Sequence, residues 1–160
     1  MARSRKTKKR LITPDPIYSS RLVAKLINRV MLNGKKQVAA KIVYGALELA
    51  QNKIKAENPL VILRQAIDNI KPLMEVRSRR VGGAVYQVPV PVKGDRKESL
   101  AIRWLIHTAK TKPNKEYHTF KDKLAAELID AYNNEGGAIK KRNEAHKMAE
   151  ANKAFAHFRW

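Results

Sequence analysis

The run MEVRSRRVGGAVYQVPV at residues 74–90 constrains the fold more than any other part of the chain. Two β-prone stretches flank Gly82-Gly83, and a Gly-Gly pair supplies the positive φ angles of a tight two-residue hairpin turn. No other segment reads as a strand. A lone two-stranded hairpin is marginal in water, so this one has to lean on a body of another kind. Arg77, Arg79 and Arg80 sit just before the turn. The simplest reading is a basic arm that projects from a helical body and becomes ordered on a negatively charged partner. The alternative is a surface hairpin whose arginines are merely solvated.

The remaining chain carries helical periodicity between clear breakers. Ser19 and Ser20 are placed to cap a first helix over about 20–32, with Leu22, Val23, Leu26, Ile27 and Val30 inward. Asn33-Gly34 closes it with residues that favour a left-handed cap. A second helix over 36–54 buries Val38, Ile42, Val43, Ala46 and Leu49. Asn58-Pro59 opens a third with Leu60, Leu63, Ile67 and Ile70 inward, and Pro72 stops it. The hairpin arm takes 73–91, where Pro89 and Pro91 mark an exposed edge because neither donates to a ladder. Asp95 with Glu98 three residues on resembles a capping box for a fourth helix over 96–111, carrying Leu100, Trp104 and Leu105. After Pro113-Asn114 a fifth helix over 115–132 uses Tyr117, Phe120, Leu124 and Leu128. Asn133 to Gly137 is a stop, and a sixth helix covers 138–155. The expected fold is mainly α, a single domain of about six helices with one protruding β-hairpin between the third and fourth. Residues 1–17 form a basic tail and 18–160 the helical domain.

Charge then narrows the function. The chain carries a formal net charge of +20 over 160 residues, with 44% hydrophobic residues to build a core. Such an excess repels itself unless a polyanion neutralises it, which points first to nucleic acid and second to an anionic membrane. No apolar run approaches the roughly 20 residues of a membrane span. The N-terminal MARSRKTKKRLITPDP has no apolar region of the secretory kind. There are no cysteines, which excludes disulfides, thiolate metal sites and cysteine catalysis. Arg3, Arg5, Lys6, Lys8, Lys9 and Arg10 crowd the tail. Further basic groups stand at Lys35/Lys36, Arg77/Arg79/Arg80, Lys93/Arg96/Lys97, Lys110/Lys112/Lys115 and Lys140/Lys141/Arg142. They fall mostly at helix starts, turns and the hairpin, where side chains reach phosphates and helix N-termini add N–H donors. Tyr86, His157, Phe158 and Trp160 lie among them and are suited to stacking on unpaired bases. Phe155, Phe120 and Trp104 read as core instead.

Enzyme signatures are missing. Gly34-Lys35-Lys36 lacks the preceding strand and glycine-rich loop of a phosphate-binding turn. His107, His118, His146 and His157 show no zinc spacing. Glu127 and Asp130 lie three apart on a helix, but in so basic a chain they read as solvated or paired with Lys123 rather than as a Mg²⁺ site. No cofactor is expected. The alternative to an RNA-binding protein is a general nucleic-acid-compacting protein, which would need an apolar wedge that the glycine-rich hairpin tip does not offer.

Several blocks resemble one family throughout the chain. They are Pro14-Asp15-Pro16, Gly34-Lys35-Lys36, Ile42-Val43-Tyr44-Gly45-Ala46, Ser78-Arg79-Arg80-Val81-Gly82-Gly83, Tyr86-Gln87-Val88-Pro89, Leu100-Ala101-Ile102-Arg103-Trp104-Leu105 and the closing run from His146 to Trp160. In this order they resemble the seventh-protein family of the small ribosomal subunit, bacterial or organellar in type. The resemblance implies a helical fold with a protruding hairpin. It also implies direct binding to the 3′ major domain of small-subunit rRNA, nucleating assembly of the subunit head in the bacterial cytoplasm or a plastid. It assigns rRNA contacts to Arg3, Arg5, Lys8, Lys9, Arg10, Lys35, Lys36, Arg77, Arg79, Arg80, Lys93, Arg96 and Arg142. It places Arg79, Val81, Gly82, Gly83, Tyr86, Lys147, Lys153, Arg159 and Trp160 near the exit (E) site, beside tRNA, mRNA and protein eleven of the small subunit. The stretch 107–123, HTAKTKPNKEYHTFKDK, departs from the family's arginine-rich pattern, and no role is carried over there.

Overall fold

A helix buried on nearly every face organises the molecule. In the computed structural model, which describes residues 11–159, α5 (Phe120–Tyr132) has six consecutive buried residues, Lys123 to Leu128, and packs against α2, α3, α4 and α6. Around it stand α1 (Arg21–Val30), α2 (Lys36–Ile54), α3 (Pro59–Ile70), α4 (Asp95–Thr111) and α6 (Gly136–Ala151). Their inward stripes meet in one core that includes Leu26, Val43, Leu47, Leu63, Ile67, Leu105, Leu124 and Leu128. Each of these fully buried aliphatic side chains contributes about 1.5–3 kcal/mol through water exclusion. Between α3 and α4 rises the expected hairpin, β1 (Met74–Val81) and β2 (Ala84–Pro91), antiparallel with Arg77 opposite Val88 and Arg79 opposite Tyr86. A terminal 3₁₀ turn, Lys153–Phe158, follows α6.

Several local expectations are corrected. Ser20 occupies the cap position of α1, but its side chain makes no capping bond. The preceding segment is tied down by Asp15 instead. Asp15 is buried, and its carboxylate accepts from the N–H groups of Ile17 (3.2 Å) and Tyr18 (3.1 Å) and from the Tyr44 hydroxyl (2.6 Å). Burial, then that hydrogen bond, push the Tyr44 phenol up to about 12. Helix α1 ends at Val30, before the left-handed Asn33 and Gly34. The stripe of α2 is rotated from the expected one: Val38 is 55% exposed, and Ala39, Val43, Ala46, Leu47 and Ala50 are buried. Small alanines let α2 lie close to its neighbours, and hydrophobicity alone does not reveal this.

Asp95 and Glu98 form no capping box. Gly94 is the cap residue, and Glu98 reaches across to the Lys25 ammonium of α1. The true capping box lies at Thr119 and Asp122, so α5 starts at Phe120 rather than near 115. The hydroxyl of Thr119 holds the Asp122 carboxyl below its ordinary value. Glu127 and Asp130 are paired, but with Lys112 rather than Lys123. The Lys112 ammonium lies 2.6 Å from Asp130 and 3.3 Å from Glu127, while Lys123 donates to Asn114 Oδ1 at 2.7 Å. Burial works against the Lys112 charge, but these two carboxylates outweigh it and raise its pKa. Glu127 also accepts the Ala138 N–H at 2.8 Å, which fixes the start of α6.

The hairpin is not a free edge. Pro89 is buried and shares a groove with His146 and Ala149 of α6. Val88, at 0% exposure, and Val92 sink into the base of the arm.

Candidate nucleic-acid interface

The hairpin's charges are organised by one carboxylate. Along β1 successive side chains alternate faces, so Glu75, Arg77 and Arg79 share a face and Arg80 points to the other. Glu75 accepts from Arg77 Nε at 2.6 Å and from Arg96 of α4 at 2.8 Å. It thereby clamps the hairpin base to the start of α4. Beside this clamp lies an open cleft of about 430 Å³ lined by Arg77, Val90, Pro91, Val92, Lys93, Arg96 and Arg159. Residues far apart in the chain thus bring four cations to one place. Glu75 tethers two of them, and about half the side chain of Arg77 and of Arg96 stays exposed. The cleft is a preorganised cationic surface of the kind that receives phosphate.

The tip supplies a different surface. Gly82 (φ 56°) and Gly83 (φ 92°) make the turn, as their sequence predicts, and no atom crowds either of them. Arg80 is exposed there, Val81 and Arg79 are half-buried, and Val85 is 65% exposed. Tyr86 is not free to stack on bases with its full ring. It packs at 5.3 Å from Phe155 and 5.1 Å from Phe158, centroid to centroid. His157 lies 3.9 Å from Phe158. This aromatic cluster straps the terminal turn to β2. It corrects the assignment of Phe155 to the main core and gives Tyr86 and Phe158 a bracing role.

The other expected residues are distributed as follows. Lys35 and Lys36 are exposed at the start of α2, where no side chain caps the helix, so two ammonium groups stand beside open N–H donors. Lys147 and Lys153 are exposed on α6 and the terminal turn. Arg142 points inward: its guanidinium donates to the Asn69 carbonyl near the end of α3 and to Asn143 Oδ1. Lys112 is drawn inward as well, by the Asp130 and Glu127 pairing. Arg3, Arg5, Lys8, Lys9, Arg10 and Trp160 lie outside the described residues.

Sequence reasoning gave no structural role to Glu75 or to Asp15, and read His146 as a surface or RNA-stacking residue, whereas it is half-buried and bonded to Leu73. Glu75 was detectable as the only acid in the hairpin run, two residues from Arg77 on the same face. Asp15, between two prolines, carried the signal of a side chain that bonds its own turn. Nothing local marked His146, whose partner is 73 positions away.

Among the described residues, no group of three or more His, Cys, Asp or Glu side chains is placed to hold a metal, and no helix is long and apolar enough to cross a membrane. Residues 2–153 match the family profile of ribosomal protein S7p/S5e. The chain belongs to that family. Relatives confirm the bacterial type. The small ribosomal subunit protein uS7 of Geotalea uraniireducens is 58% identical over the full length of both chains. That of Thermotoga maritima is 55% identical over 99% of each, and that of Caldicellulosiruptor saccharolyticus 54% over all of both. As a bacterial-type member of the S7p/S5e family, the chain is a structural ribosomal protein and not an enzyme.

Proposed function

We propose that this chain is a structural constituent of the small ribosomal subunit that binds the 3′ major domain of its rRNA and nucleates assembly of the head. In this reading the hairpin and terminal turn border the path of E-site tRNA and mRNA and face protein eleven, among other head proteins. The observation that carries it is the cleft in which Arg77, Lys93, Arg96 and Arg159 converge from the hairpin, the start of α4 and the C-terminal segment. A surface assembled from distant segments fits an irregular folded RNA rather than a uniform duplex groove. Lys35 and Lys36 add a second phosphate-facing point, and the basic tail a third. Arg142 acts from behind by holding α3 and α6 together. Arg80 and the Gly82-Gly83 tip are the parts suited to the exit path.

The test is binding of the purified protein to an isolated 3′ major domain fragment, with random-sequence RNA and duplex DNA as competitors at one near-physiological salt. Preference of about a thousandfold for the ribosomal fragment is expected. Equal binding to all three would mean a general compacting protein instead. With about ten phosphates neutralised, log K should fall against log salt with a slope of roughly −7 to −9. Deleting residues 80–85, which removes the tip and spares the Arg77 cleft, should leave head assembly largely intact and disturb exit-site tRNA occupancy or frame maintenance. Loss of rRNA binding on that deletion would make the arm an anchor.

A further inference from the structure

His146, in the C-terminal half of α6, is half-buried, and its Nε2 accepts a hydrogen bond of 2.9 Å from the backbone N–H of Leu73. Leu73 stands between Pro72 and the first residue of β1, where the chain leaves α3 for the arm. Its carbonyl in turn accepts the Val92 N–H at 3.0 Å, just beyond β2. One imidazole therefore holds a residue to which both legs of the hairpin are joined. Beside it lies an open groove lined by Leu73, Met74 and Pro89 of the arm and by Ala149 of α6, among others, where the two elements meet.

A ring nitrogen accepts a hydrogen bond only while it carries no proton. We propose that His146 is a protonation-sensitive latch: neutral, with its proton on Nδ1, it fixes the hairpin base on α6, and protonated it releases Leu73 and loosens the arm.

The surroundings favour the neutral form. Burial, and after it the Arg142 guanidinium one turn away, push His146 below its ordinary value of 6.5. From α6, Glu150 also lines the groove and Lys147 adjoins His146 in the chain. From the terminal segment come Lys153 and Arg159. The hairpin's lining residues Leu73, Met74 and Pro89 are uncharged, and its Glu75 is held by Arg77 and Arg96. At the end of α3, Asp68 and Lys71 pair with each other. Helices α4 and α5 meet the far, N-terminal end of α6 through Thr108, Glu127 and Asp130 around Gly136 to Ala138. Cations outnumber acids around the ring. Because the latched state binds the proton less readily than the released one, the latch is fully in place above pH 6.5 and is lost as pH falls through the depressed value.

The latch is a property of the free chain, whatever the arm touches when bound. The test is NMR on the full-length ¹⁵N-labelled protein. Imidazole ¹⁵N shifts at neutral pH should show the proton on Nδ1. The exchange protection of the Leu73 amide, corrected for intrinsic rate, should drop about five- to tenfold between about pH 7.5 and about pH 5, the worth of one hydrogen bond. In His146→Gln, which does not titrate, Leu73 protection should not vary with pH. A proton on Nε2, a flat wild-type profile, or a pH-dependent drop that persists in the variant would each overturn the latch.

Discussion

In the body, α5 lies within four other helices, and its side chains from Leu124 to Leu128 lose nearly all contact with water. In the hairpin, the hold on the body is a short set of contacts: Val88 at the base, Glu75 between two arginines, Tyr86 against the terminal turn, and the Leu73 amide on His146. The body is stabilised by apolar area and carries its internal charges in satisfied pairs. The arm has little apolar area to spare and is positioned by individual bonds. The difference teaches how the two regions carry charge: the body holds inward cations in pairs, such as Lys112 with Asp130 and Glu127, whereas the arm's Arg77, Arg79 and Arg80 are only three of the 34 lysines and arginines. Excess charge of one sign costs stability through self-repulsion. On an arm with its own attachments, those three reach the partner without opposing the core.

The largest effect should come from the body. Leu128→Ala, at a fully buried site on the central helix, should cost about 2–5 kcal/mol in denaturant unfolding. A loss much below that would mean that α5 is not the keystone its burial indicates. Next, Glu127→Ala strips the buried carboxylate from Lys112 and the Ala138 N–H. It should cost about 3 kcal/mol, as for a broken buried pair, with Asp130 retaining part of the Lys112 interaction. Equal stability of wild type and variant would show the network to be solvated. The smallest effect belongs to the arm. A double-mutant cycle of Tyr86→Ala and Phe158→Ala should give a coupling of about 0.5–1.5 kcal/mol, read as amide exchange in β2, while the global unfolding midpoint stays nearly fixed. Coupling that appears in the global midpoint instead would erase the distinction between arm and body.

How much was legible beforehand follows the range of the interactions. Helix existence and order were readable, because periodicity and breakers are local. Asn58 does cap α3 through its side chain, which accepts the Leu60 N–H at 2.9 Å, and Pro59 takes the first helical position. Ends were less readable where two caps competed. Thr119-Asp122 was hidden by the stronger break at Pro113, and the Asp95-Glu98 signal failed because Gly94 takes the cap position and Asp95 lies inside the helix, while Glu98 pairs with Lys25 on another helix. The basic groups were visible as composition, but their destinations were not. Arg142 and Lys112 look like surface cations in sequence, yet the fold turns them toward the Asn69 carbonyl and toward Asp130 with Glu127.

The sequence by itself determined the charge, the glycine turn of a single hairpin and the helical body around it. Each depends on residue identity or on spacings of a few positions. Only the tertiary structure decided that Arg77, Lys93, Arg96 and Arg159 share a cleft, that Tyr86 braces the terminal turn, and that His146 holds Leu73. These are contacts between segments tens of residues apart, fixed by how the helices pack around α5, and no local pattern encodes them.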